Sequence, residues 1–272
     1  MSPRDRNGRS GFDASNLSAG YGAAPIVEHL DLSIPAGAFT ALVGPNGSGK
    51  STILRVLAGL LTPMHGTVLL DGGSIARLST REMALRVGVL SQDSIAPEGL
   101  TVLDLVRQGR YPHRPLLGRW SEEDTLACDE ALSLTGMTEL AGRRIDHLSG
   151  GQKQRAWITM TLAQKTPVLL LDEPTTFLDL AHQIEVMELA ANLVRKKGKT
   201  IVAVLHDLNQ AARYADYMVM LKAGAVIASG PPDEVMTAAI VEDVFDVSST
   251  IIPDPVTHTP MCIPMPKGCQ MS

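Results

Sequence analysis

A chain of 272 residues, 44% of them apolar, is long enough for one large domain or two small ones with a substantial core. Its net charge of −5 gives no electrostatic pull toward nucleic acid, and aromatic residues at 4% leave few platforms on which bases could stack. Three scattered cysteines, Cys128, Cys262 and Cys269, argue against a disulfide framework and fit a reducing compartment.

The chain opens on "MSPRDRNGRSG", which is polar and charged. It lacks the apolar stretch of a signal peptide, and residues 1–12 read as a disordered lead. No apolar run approaches the roughly 18 residues that a bilayer span requires. Action at a membrane would therefore need another chain to do the spanning. Tyr21 follows in "AGYGAAP", where its ring could stack on adenine or fill a core.

Short apolar runs then alternate with helical patterns. The runs are "FTALVG" (39–44), "GTVLLDG" (66–72), "RVGVLSQ" (86–92), "PVLLLDE" (167–173) and "TIVAVLHD" (200–207). Several are apolar on consecutive residues, as strands covered on both faces must be. Residues 49–60 and 181–196 read as helices. The pattern predicts an α/β fold with a largely parallel sheet, whose ligands gather at the carboxyl ends of the strands. Gly44, Gln92, Asp172, Glu173 and His206 all sit at such ends.

Strand-like runs stop between residues 93 and 147. "SEEDTLACDEALSL" (121–134) begins with a Ser-x-x-Asp capping box and continues at helical spacing, which predicts a helical subdomain inserted into the sheet domain. The expected organisation is a core in two parts, 13–92 and 161–255, around a helical subdomain at 93–160. A tail at 256–272, rich in Pro and Met, is expected to form short strands and turns packed on the core. Its His258, Cys262 and Cys269 match no zinc-site spacing. The run "RKKGK" (195–199) reads as a solvated helix end, where positive charge suits the helix dipole.

"GPNGSGKST" (44–52) has the form Gly-x4-Gly-Lys-Ser between a strand and a helix. Backbone N–H groups from Asn46 through Gly47, Ser48 and Gly49 to Ser51 would wrap phosphates, and the glycines admit close approach. Lys50 would reach the β- and γ-phosphates of a nucleotide, and Ser51 would ligate Mg²⁺. In "VLLLDE", Asp172 would hold Mg²⁺, and Glu173 would orient or deprotonate an attacking water. His206 could hydrogen-bond the γ-phosphate, and Gln92 offers a neutral oxygen to Mg²⁺ or water.

"HLSGGQKQR" (147–155) presents a second phosphate grip. Ser149, Gly150 and Gly151 open a helix expected from about Gln152 to Gln164, whose dipole and free N–H groups favour an anion. Symmetry gives this grip a task. In a head-to-tail twofold dimer, Ser149, Gly150, Gly151 and Gln152 of one chain close on the ATP of the other.

"GPNGSGKST", "LSGGQKQR", "VLLLDEPTTFLD" and "LHDLNQA", in this order, resemble the nucleotide-binding subunit of an ABC transporter over about residues 16–256. The resemblance implies a P-loop ABC cassette: a largely parallel sheet flanked by helices, an antiparallel β portion and the inserted helical subdomain. It implies an ATPase that binds ATP and Mg²⁺ through Gly44, Pro45, Asn46, Gly47, Ser48, Gly49, Lys50, Ser51 and Thr52. Tyr21 resembles the adenine-stacking aromatic, Gln92 the lid glutamine facing the permease, and residues 148–152 the signature. Glu173 resembles the catalytic glutamate, Asp179 the dimer-contact aspartate and His206 the switch histidine. Ser91 stands where Pro is frequent and Lys153 where Arg is frequent, and both keep the needed chemistry.

"EPTTFLDLAHQ", "QRAWITMTLAQ", "GRYPHR" and "DPVTHTPMCIP" are similar to ATPases of the iron-siderophore import group, whose relatives also import haem and cobalamin. That implies a homodimer at the cytoplasmic face of the membrane, transmembrane permease subunits, an extracytoplasmic substrate-binding protein and no nucleic acid. Residues from about Ile95 to Arg114, including Arg107 and Arg110, would face the permease. A haem or cobalamin importer is the alternative, and a soluble ABC ATPase acting on DNA or ribosomes is a further one.

Overall fold

The computed structural model describes residues 10–22, 24–92, 97–114, 118–176 and 178–266. Cys269, Ile95 and the first nine residues of the expected lead lie outside the described residues. The chain forms two compact units, residues 1–76 with 202–272, and residues 77–201. The first unit begins with β1 (Ser10–Ala19), β2 (Val27–Pro35), β3 (Phe39–Val43), α1 (Lys50–Leu57), β4 (His65–Leu70) and β5 (Gly73–Ser74). The second contains α2 (Thr80–Ala84), β6 (Val87–Leu90), α3 (Val102–Gln108), α4 (Glu122–Leu134), α5 (Gly150–Ala163), β7 (Val168–Asp172) and α6 (Leu180–Lys197). The chain returns to the first unit within β8 (Thr200–Val204). It continues through α7 (Leu208–Tyr214), β9 (Tyr217–Lys222), β10 (Ala225–Gly230), α8 (Pro232–Val235), α9 (Ala238–Phe245), β11 (Ser249–Pro253) and β12 (Pro260–Pro264).

In the first unit β3 lies between β9 and β8 and runs parallel to β9. All five residues of β3 are buried, which explains why four of them are apolar. A second sheet, ordered β2-β1-β4-β5, is antiparallel. Of "GTVLLDG", only Val68 and Leu70 are buried. This run belongs to the antiparallel sheet and not with the parallel strands, as a half-covered strand does. The lead expected at residues 1–12 overlaps a strand at its far end. β1 starts at Ser10, because Phe12 is fully buried and pairs with Ile34 and Leu70.

The tail does not start at 256. β12 pairs with β11, and the hairpin is fastened to α7. Cys262 donates its N–H to Asn209 Oδ1 at 2.7 Å, and Asn209 Nδ2 donates to the Cys262 carbonyl at 3.2 Å. Arg213 of α7 also forms an ion pair with Asp254, the residue that follows β11.

In the second unit β6 and β7 are parallel. Helices α2, α3, α4 and α5 each open with a reciprocal capping box, the last three at Thr101/Asp104, Ser121/Asp124 and Ser149/Gln152. Each cap contributes about 1 kcal/mol and fixes where its helix begins. The expected boundary at 160 falls inside α5, which runs unbroken to Ala163.

Arg110 is 1% exposed. Its Nε bonds Asp124 Oδ1 at 2.8 Å, and its Nη1 donates to the Ala163 carbonyl at 2.9 Å, tying the segment after α3 to α4 and α5. The expectation that Arg110 presents charge to a partner is therefore corrected. A buried guanidinium holds the unit together, and Arg107, half exposed and stacked over Trp120, is the surface residue of the two.

Candidate active site

The phosphate loop follows directly from β3. Gly44 has φ +155°, and a Cβ there would lie 2.1 Å from the Leu221 carbonyl oxygen, so no side chain fits. Gly49, at φ +95°, caps α1, and a Cβ would meet Val27 Cγ2 at 2.7 Å. Gly47, at φ +79°, faces open space. Pro45 is half-buried, Asn46 is exposed, Ser48 and Thr52 are buried and Ser51 is half-buried. Lys50 is buried, and its ammonium donates to the carbonyls of Gly44 and Pro45, both at 2.9 Å. The loop thus curls over its own lysine and aims it at the loop's concave side.

Tyr21 is 52% exposed, which removes the core reading. Arg55 Nη1 donates to its hydroxyl at 2.8 Å, and the guanidinium lies 5.7 Å from the ring centroid, so the ring is braced and presented to solvent. His206 is exposed in the same unit. It stands two residues beyond the end of β8, just before the Asp207 cap of α7.

The second unit assembles the acidic residues. Asp172 ends β7 and is buried. Glu173 follows with φ +52°, a left-handed conformation that costs a β-carbon-bearing residue of order 1 kcal/mol or more. Its carboxylate is held by two donors. Gln92 Nε2 donates to Oε2 at 3.0 Å, and Thr176 Oγ1 donates to the same oxygen at 3.0 Å. Sequence reasoning proposed Gln92 and Glu173 separately but missed Thr176. The signal was present: in "EPTT" a hydroxyl three residues after the carboxylate reaches back across a turn, and Thr176 N–H also bonds the Glu173 carbonyl at 3.3 Å.

Ser149 caps α5, which starts at Gly150, two residues earlier than the start expected from sequence. Its Oγ accepts from Gln152 N–H at 3.3 Å, and Gln152 Oε1 accepts from Ser149 N–H at 3.2 Å. The cap uses one of the first N–H groups, leaving Gly150 and Gly151 to present theirs at the exposed, positive end of the helix. A Cβ on Gly151 would meet Leu178 Cδ2 at 3.3 Å and His182 Nδ1 at 3.9 Å. His182 is bonded to Asp179 at 2.7 Å, so this helix start and Asp179 occupy one neighbourhood. Asp179 caps α6, and its carboxyl is held below its ordinary value, first by the His182 N–H and then by the His182 ring.

The ABC transporter family model matches residues 27–176. The ferric enterobactin transport ATP-binding protein FepC of Escherichia coli (strain K12) is 51% identical over 249 residues, 92% of each chain. A solved inward-facing conformation of a metal-chelate type ABC transporter superposes with a TM-score of 0.82 at 27% identity, covering 95% of this chain and 98% of that one. The dimeric structure of MJ0796, a bacterial ABC transporter cassette, gives a TM-score of 0.73 at 30% identity, over 81% of this chain and 98% of that one. The phosphate loop, Gln92, the α5 start and the Asp172–Glu173 pair all lie inside the matched span, and the chain belongs to the ABC transporter family as an ATP-hydrolysing cassette.

Proposed function

We propose that this chain energises the import of iron-siderophore complexes. The observation that carries the cargo class is 51% identity across 92% of a ferric enterobactin transport ATP-binding protein. The likeness to a metal-chelate type transporter supports it. No helix among the described residues is long and apolar enough to cross a membrane. The chain would therefore act peripherally, on the cytoplasmic face, with permease subunits in the bilayer and an extracytoplasmic binding protein delivering cargo.

The residues divide the work as follows. The exposed ring of Tyr21 stacks on adenine, and the N–H groups of residues 46–51 bind the phosphates. Lys50 exchanges neutral carbonyls for charged phosphate oxygens, which are stronger acceptors. Ser51, Gln92 and Asp172 supply a hydroxyl, an amide oxygen and a carboxylate, the hard oxygen donors that Mg²⁺ takes. The ion, when bound, neutralises charge on the β- and γ-phosphates. Glu173 receives the proton as water attacks the γ-phosphorus and the bond to the ADP oxygen breaks, with its carboxylate oriented by Gln92 and Thr176. His206 contacts the γ-phosphate. Two copies pair head to tail, so that Ser149, Gly150, Gly151 and Gln152 of one reach the ATP of the other, with Asp179 at the contact. The dimeric solved cassette supports the pairing of two copies.

Deleting the subunit should abolish uptake of a ferric chelate under iron limitation and spare unrelated nutrients, measured with radiolabelled iron. Undiminished uptake of every ferric chelate, with loss of cobalamin uptake instead, would assign the alternative cargo.

A further inference from the structure

The basic run at the end of α6 takes no part in the chemistry above. Arg195 and Lys196 are exposed, as a solvated helix end predicts, but Lys197 and Lys199 line a cavity of about 300 Å³ within the second unit. Lys165, from the turn after α5, lines it too. Among the described residues the one carboxylate in the lining is Glu130 on α4, with Lys165 Nζ at 3.1 Å and Lys197 Nζ at 3.4 Å. Three ammonium groups thus face one carboxylate. The Lys199 ammonium also donates to the Thr166 carbonyl, and its acidity is raised first by burial, with Glu130 opposing the shift and Lys197 and Lys165 adding to it. The floor is apolar, formed by Leu134, Leu162 and Leu193.

Half-exposed ion pairs add little to stability, and one carboxylate among three ammonium groups leaves a net positive charge and repulsion among the lysines. A bound dianion removes that repulsion. A cavity of this size admits a small ligand, and lysines bind phosphate as point charges.

We propose that this cavity binds a small soluble phosphate monoester. The phosphate sits among Lys165, Lys197 and Lys199, and the apolar body lies on the leucine floor. This site is independent of the cargo reading and separate from the phosphate loop.

Calorimetric titration of the full chain with phenyl phosphate tests it, in a Lys50→Ala background so that the phosphate loop does not report. Replacing Lys165 and Lys197 together by Gln should weaken binding at least about tenfold, the scale of two lost charge-assisted contacts. Glu130→Gln should tighten it, a sign that a purely structural role for the cluster does not give. Phenol should not bind, and vesicles containing phosphatidic acid should not retain the chain. Both substituted lysines are solvent-exposed, and an unchanged melting curve checks that the variants fold. Equal affinity in the double variant and its parent, or equal binding of phenol, overturns the proposal. Lysine-dependent retention on the vesicles without phenyl phosphate binding overturns the soluble source in favour of a lipid headgroup.

Discussion

Gly44, Gly47 and Gly49 precede α1, and Gly150 and Gly151 begin α5, yet the two sets answer to different demands. The first set is required by its own chain. Gly44 and Gly49 have no room for a Cβ, and all three have positive φ. Gly150 has a helical backbone and no atom within 4 Å of a built Cβ. Alanine there would favour the helix by up to about 1 kcal/mol. Nothing among the described residues asks for a glycine at 150, whereas a close approach by a second molecule would. The glycines of the phosphate loop are explained within their own chain, and the proposed role of the α5 start as the other half of the site explains a glycine at 150.

Breaking the nucleotide site at its charged residues should give the largest effects, of different kinds. Lys50→Ala should abolish ATP binding in a nucleotide-binding assay. Glu173→Gln should retain binding and lower turnover at least about 10²-fold, the scale of a lost general base. Near-normal turnover in that variant would remove Glu173 from its role.

The glycines sharpen the contrast. Gly44→Ala should lower the melting temperature on the order of 5 °C, since the methyl group must displace backbone at Leu221. Gly150→Ala should leave it unchanged or slightly higher while lowering ATPase activity about tenfold. A Gly150→Ala protein that loses stability and activity together would show that its own chain needs this glycine after all.

Much of this was legible because short-range chemistry wrote it. The capping box at Ser121, the apolar runs of β3, β7 and β8, and the Gly-x4-Gly-Lys-Ser loop each follow from a few neighbouring residues. What was hidden depends on distant ones. Arg110 reads as a surface charge until Asp124 and the Ala163 carbonyl are placed around it. "GTVLLDG" resembles a buried strand until its partners prove antiparallel. Lys197 and Lys199 belong to one charged run, and their convergence with Lys165 depends on where α5 ends. Thr176 needed only the turn after Glu173, and was the one missed residue within reach of the sequence.

The smallest expected effect lies in the tail hairpin, far in character from either grip. The Arg213 guanidinium and the N–H groups of Val256 and Thr257 hold the Asp254 carboxyl well below the usual carboxylate range. A carboxyl depressed in the folded state stabilises it above the unfolded value, about 3.9, and loses that contribution as pH falls through the folded value. The melting temperature of Asp254→Asn should therefore fall below the parent's by a few degrees at neutral pH, with the gap closing on acidification below about pH 4. A gap that widens in acid would reverse the assignment.

The central claim, that the α5 start serves a nucleotide held by the other copy, is tested most directly by counting trapped ATP in mixed dimers. With Glu173→Gln in every chain to block hydrolysis, a Lys50→Ala chain is paired with a Gly150→Leu chain. One site of the mixed dimer then keeps both halves intact, and the other has lost both. The account predicts about one ATP per mixed dimer and almost none in either homodimer, because a leucine side chain at 150 blocks approach of the phosphate. Trapping by the Gly150→Leu homodimer at the level of the Glu173→Gln parent would contradict it.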